Sequence, residues 1–134
     1  LEIMATTFKV RYKNHCTPQE QISSGGRYYL DSDCGRKLTG DVASKLIDAV
    51  GTYSASTAVT STGSECEIVT TGSNFQFVFV KNTGSTDILI ALDGSVYPIL
   101  LSKGEAFASE ISINTNILVK TSSGTSTIEY YVAN

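Results

Sequence analysis

The chain of 134 residues has no tryptophan, one histidine, one methionine and two prolines. With His15 as the sole imidazole and no Gly-x-Ser-x-Gly elbow, a Ser-His-Asp hydrolase would lack its general base. No GxGxxG, Walker or HExxH pattern occurs, so phosphate-cradling loops and zinc-protease helices have no motif to rest on. Charge is also scarce, at 17% of residues against roughly 25% in an average soluble domain. Ten Lys and Arg stand against 13 Asp and Glu, a net charge of −3. That balance is the reverse of the basic face a nucleic-acid binder carries. The small basic groups Lys9, Arg11, Lys13 and Arg36, Lys37 read as solvated surface. No apolar run approaches the roughly 18 residues of a membrane helix, and no basic segment leads into an apolar stretch at the start. The expectation is a chain neither membrane-bound nor secreted by a signal peptide. Leu1–Ile3 precede Met4, which reads like a natural start, and they are left out of the fold reading.

Cysteine is sparse and odd in number. Cys16, Cys34 and Cys66 share no CxxC spacing, so neither a disulfide framework nor a zinc ribbon is indicated, and free thiols are expected. A metal site could be drawn from His15, Cys16, Asp31, Asp33 and Cys34. However, neighbours on an extended strand point to opposite faces, which separates His15 from Cys16. Asp31-Ser-Asp33 departs from a calcium loop, with Arg36 where the EF-hand wants glycine and Val42 where it wants glutamate. The paired carboxylates Asp31/Asp33 and Glu65/Glu67 read as solvating charge rather than an acid–base pair. The sequence therefore implies no enzyme, no metal and no cofactor.

Serine and threonine are abundant, 17 and 16 residues, with 11 glycines and a 41% apolar share. That mixture favours short strands and tight turns. Phe8, Val10 and Tyr12 alternate with Thr7, Lys9 and Arg11 in a half-buried strand. Asn14 to Gly26 reads as a loop or extended arm, and Arg27 to Leu30 as a short strand. Val42, Leu46 and Val50 fall at i, i+4 and i+8 behind Asp41 and before Gly51, which predicts one short helix over about 41–50. From residue 53 the pattern is β throughout. Phe75, Phe77 and Phe79 alternate with Gln76, Val78 and Val80 in a core strand, and "DILIAL" (87–92) suits a strand covered on both faces. Asp93-Gly94 signals a hairpin, and Pro98 sends its partner strand to an edge or a bulge. Further strands are expected over 105–113, 117–121 and 126–133. The fold expected is mainly β, an antiparallel β-sandwich or jelly-roll-like barrel with that one helix and an irregular N-terminal arm. Residues 1–52 form the strand, arm and helix, and 53–134 the sandwich, within one compact unit.

Seven tyrosines stand out against the missing tryptophan. Tyr28-Tyr29 and Tyr130-Tyr131 are adjacent, so in a strand one ring of each pair faces away from the other. Such a ring serves either an interface or a second covered face of the same domain. Tyr12, Arg27, Tyr28, Tyr29, Arg36 and Tyr131 are the candidate interface residues.

The stretch "FVFVKNTGSTDILIALDGSVYPILLSKGEAFASEI" places a Phe/Val strand, an Asn-Thr-Gly turn, an apolar strand, Asp-Gly, an "ILL" strand and then Gly-Glu with Phe107 in order. Over residues 74–133 this resembles small β-sandwich structural proteins of tailed-bacteriophage virions. The resemblance implies a capsid decoration or cement protein, made in the host cytoplasm and carried in the virion. Its implied partners are the major capsid protein or other virion proteins, with the chain forming a homo-oligomer. A tail, neck or fibre component that binds a receptor or carbohydrate is the alternative, and the missing tryptophan weighs mildly against it. Titration of denatured, unreduced protein is expected to find three free thiols per chain, and a count of one would reveal a disulfide.

Overall fold

The computed structural model describes residues 8–21, 26–48, 51–61, 66–69 and 74–134. The strands are β1 (Phe8–Cys16), β2 (Gln19–Gln21), β3 (Tyr28–Leu30), β4 (Leu38–Ile47), β5 (Thr52–Thr60) and β6 (Cys66–Val69). They continue with β7 (Phe75–Asn82), β8 (Ile88–Ala91), β9 (Ile99–Leu101), β10 (Ala106–Ile113), β11 (Ile117–Thr121) and β12 (Thr125–Ala133). No helix occurs among the described residues. The chain falls into two units, Val10–Ser44 and Leu1–Lys9 with Lys45–Asn134.

In the larger unit two four-stranded sheets run β10-β7-β12-β5 and β6-β11-β8-β9, antiparallel at each described pairing. Their inner faces meet as a sandwich. Val59, Val78, Val80, Ile128 and Val132 come from the first sheet, and Ile68, Ile88, Ile90, Leu101, Ile117 and Val119 from the second. Burying each such side chain is worth about 1.5–3 kcal/mol, and β-branched residues dominate because they suit the pleated surface. Cys66 is half-buried against this core, and burial pushes its thiol pKa up.

Strand β7 shows how the two faces divide. Val78 lies opposite Val132 and Val80 opposite Tyr130, on the side that meets the second sheet. Phe77 and Phe79 therefore take the outer side, yet Phe77 is only 3% exposed. Its ring lies 6.5 Å from that of Tyr131 at an interplanar angle of 57°. The chain also closes over this end of the sheet. The Asp48 N–H donates to the Asn134 carbonyl at 2.6 Å, and the Gly51 N–H donates to the Tyr131 hydroxyl at 3.3 Å.

The expected helix over about 41–50 is corrected by this structure: 41–47 lie in β4, which pairs with β1, and 49–50 fall outside the described residues. Ile47 is 8% exposed beside Leu46 at 67%, the opposition of neighbouring side chains on a strand. A nine-residue helix is marginal by itself, whereas β1 offers this segment a ladder. Gly51 is not a helix cap either. A Cβ there would collide with the Tyr131 ring and lie 2.5 Å from the Val132 carbonyl oxygen, so only glycine lets the chain cross so closely. The stretch read as a loop or arm carries the end of β1 and all of β2. Gln-Glu-Gln has no apolar alternation by which a strand could be recognised.

Asp93-Gly94 lies in the connection between the paired strands β8 and β9, with Gly94 at φ +79°, but that connection runs over 92–98 and β9 begins only at Ile99, so no tight two-residue hairpin forms. The Asp93 carboxylate accepts the N–H groups of Ser95 (2.9 Å) and Val96 (2.8 Å), which hold its pKa below the usual carboxylate range. Pro98 leads into β9, an edge strand, where its missing N–H costs no ladder bond.

Asn82 is fully buried at the end of β7. Its amide nitrogen donates to the carbonyls of Thr86 (2.8 Å) and Leu101 (2.9 Å). Its amide oxygen accepts from the Gly84 N–H (3.1 Å) and the Ser126 hydroxyl (2.8 Å). Asn82→Ala would strand these buried groups, and a loss of about 2–4 kcal/mol is expected in urea unfolding. A loss below about 1 kcal/mol would show that the amide network does not hold the sandwich.

Candidate interface on the N-terminal unit

Val10–Ser44 contrasts with the sandwich in its burial. None of its residues with a described side chain is buried. It consists of most of the β1–β4 pair and the β2–β3 hairpin, in which Gln19, Glu20 and Gln21 face Leu30, Tyr29 and Tyr28. Successive side chains alternate, so Tyr28 and Leu30 share one face of the hairpin and Tyr29 takes the other. All three are exposed, at 60%, 40% and 48% for Tyr28, Leu30 and Tyr29. A two-stranded ribbon that presents large apolar side chains on both faces gains little from folding alone.

Backbone hydrogen bonds set the shape of the loop after β3. The Asp31 N–H donates to the Pro18 carbonyl at 3.0 Å, and the Gly35 N–H to the Asp31 carbonyl at 2.6 Å. The Asp31 carboxylate accepts the N–H groups of Asp33 (2.8 Å) and Cys34 (3.4 Å), and Glu20 accepts that of Ser32 (3.2 Å). These carboxylates serve the turn, as an Asx turn does. The turn delivers Arg36, Lys37 and Leu38 to the surface, with Leu38 40% exposed. An open groove of about 340 Å³ is lined by Asn14, His15, Cys16, Leu38, Thr39 and Gly40. Another of about 200 Å³ is lined by Arg36, Lys37, Leu38 and Thr39. His15 Nε2 pairs with the Thr17 hydroxyl at 2.9 Å. No group of three or more His, Cys, Asp or Glu among the described residues could hold a metal ion.

The candidate residues named from the sequence distribute clearly. Arg27, Tyr28 and Tyr29 are consecutive and exposed, Arg36 is exposed on the same unit, and Tyr12 is half-buried on β1. Tyr131 belongs to the sandwich, half-buried against Phe77, while its neighbour Tyr130 packs on the inner core. Leu30 and Leu38 were missed. Leu30 directly follows the candidate Tyr29 and Leu38 lies two positions after the candidate Arg36, but an isolated leucine at a strand end resembles core. On the sandwich, Tyr53 is 59% exposed and its hydroxyl donates to Glu129 at 2.6 Å. That bond raises the Tyr53 pKa above its ordinary value.

The arrangement has the chemistry of a contact surface. Arginine beside tyrosine, with exposed aliphatic neighbours, suits protein recognition. No protein-family model matches the chain, and no curated protein matches it.

A unit in which no described side chain is buried should yield to protease before a sandwich with a closed core. Brief trypsin treatment is expected to cut after Arg27, Arg36 or Lys37 and leave a fragment that still contains Lys81 and Lys120. Equal cleavage rates at the sandwich lysines would contradict this division.

Proposed function

We propose that the chain is a structural protein of a tailed-bacteriophage virion that decorates and cements the head shell. The sandwich serves as a self-sufficient body and the Val10–Ser44 unit as its gripping element. The observation that carries this reading is the contrast between the two. One unit closes its own core, while the other buries no described side chain and presents Arg27, Tyr28, Tyr29, Leu30, Arg36 and Leu38. Side chains of these types contribute most when water is excluded around them, which a subunit of a shell would do. A shell repeats each contact by symmetry, so modest contacts sum to a large resistance against rupture.

The order of sequence motifs over 74–133 carries the resemblance behind this reading, and each motif falls on a structural feature of the sandwich. The Asn-Thr-Gly turn holds the buried Asn82, Asp-Gly lies in the β8–β9 connection, and Gly104-Glu105 bonds back to Asn82. The test is direct. Purified chain mixed with heads assembled without it is expected to bind in fixed stoichiometry and raise the temperature at which the heads rupture. Replacing Tyr29, on the opposite hairpin face from Tyr28, together with Arg36 by Ser is expected to weaken binding by about tenfold or more. Binding to host cells with none to heads would refute the cement role and favour a receptor-binding component.

A further inference from the structure

We infer that the Val10–Ser44 unit of one copy docks on the sandwich of a second copy, laying the β2–β3 hairpin against the outer face of the β6-β11-β8-β9 sheet. This deepens the shell reading by naming a partner, and it rests on that reading only for where the contact operates.

The outer face in question is unusual for a solvated sheet. Pairing places Glu67 and Leu118 side by side in one row, with Ala91 beyond Leu118 fully buried, and Lys120, Leu89 and Leu100 in the next. An antiparallel sheet that faces water on one side ordinarily alternates apolar and polar residues. Here Leu89 and Leu118 are half-buried, Leu100 is 56% exposed and neighbouring Val96 is 61% exposed. Lys120 lies with its ammonium 4.2 Å from the centre of the Tyr97 ring, which draws that cation along the surface. The result is an apolar strip with Glu67, Asp87 and Asp93 exposed around it.

The hairpin offers the complement. Tyr28 and Leu30 share one exposed face, and Arg27, Arg36 and Lys37 are exposed in the same unit. Net charge divides in the same sense. Val10–Ser44 holds five Lys and Arg against four Asp and Glu, whereas Lys45–Asn134 holds four against eight. Charge of opposite sign steers the two surfaces together, and the apolar strip supplies area that a charge pair alone does not. A second copy is the occupant that presents both complements in equal number. The contact is heterologous, hairpin to sheet face, so repetition closes a ring or extends a lattice as a decorated shell requires.

The test uses the full chain. Heavy-isotope chain carrying the photo-reactive Tyr28→p-benzoylphenylalanine is mixed with light, unsubstituted chain and irradiated. Heavy–light cross-links into the Leu89–Leu100 or Leu118 peptides are expected. Cross-links confined to the heavy chain, or reaching another surface of the light chain, would overturn the inference. Sedimentation is expected to show self-association that weakens with salt. Leu100→Glu, an exposed change on an edge strand, is expected to weaken it at least about tenfold. Unchanged association in that variant would equally overturn the inference. Head binding is scored separately: a chain that binds heads but gives no heavy–light cross-link refutes this contact and leaves the cement reading standing.

Discussion

The sandwich is organised around one buried amide. Asn82 ends the central strand β7, and its side chain uses both donors and both acceptor positions on four different partners. Its backbone adds the Gly104 N–H as donor to its carbonyl (2.8 Å) and the Glu105 carbonyl as acceptor for its N–H (2.9 Å). The turn after β7, the end of β9, the turn into β10 and the start of β12 thus meet at one residue. Leu101 lies in one sheet and Ser126 in the other, so the amide joins the layers as well as the corners. A buried polar group is costly unless every partner is in place, and here that requirement selects one arrangement of four chain segments.

With the corners pinned, hydrophobic burial supplies the remaining cohesion. Ile88, Ile90, Ile117, Val119 and Ile128 are fully buried between the sheets, and both sheets run antiparallel. Nothing comparable operates among the described residues of Val10–Ser44. That unit depends on backbone pairing in two ribbons and on the Asp31 turn, while Tyr28, Tyr29, Leu30 and Leu38 remain exposed. The two units therefore stand at opposite ends of the same balance between burial and chain entropy. A chain that keeps an element on the unfavourable side of that balance makes sense when another surface completes it, and this is the physical content of the assembly role proposed for it.

Much of the sandwich was legible in the sequence because its signals are local. Alternation in 75–82 marks β7, Asp93-Gly94 marks a turn, and Pro98 marks an edge. The segment 41–47 misled because Val42, Leu46 and Val50 fit a helical stripe and only the presence of β1 makes a strand preferable. The hairpin's β2 was invisible for the opposite reason, since Gln-Glu-Gln has no pattern and pairs only because Tyr28–Leu30 lies across from it. For the candidate interface, the exposed Tyr28-Tyr29 pair was legible as a doublet of which one ring must face outward. That both rings are exposed was not, because exposure is set by residues distant in sequence.

The sequence by itself determined a mainly β chain of short antiparallel strands and the places of several of its turns, while the helix expected over about 41–50 gave way to β4. The strands and turns follow from the period of apolar residues and from turn chemistry, which act over a few positions. Only the tertiary structure decided which face of β7 meets the core, that Gly51 answers to a crossing with Tyr131 rather than to a helix end, and that Asn82 is the common partner of distant turns. These depend on residues some 20 to 80 positions apart being brought into contact, as in Asn82 with Leu101 and Gly51 with Tyr131. A local pattern has no term for such contacts, because their energies exist only once the sheets have closed on each other.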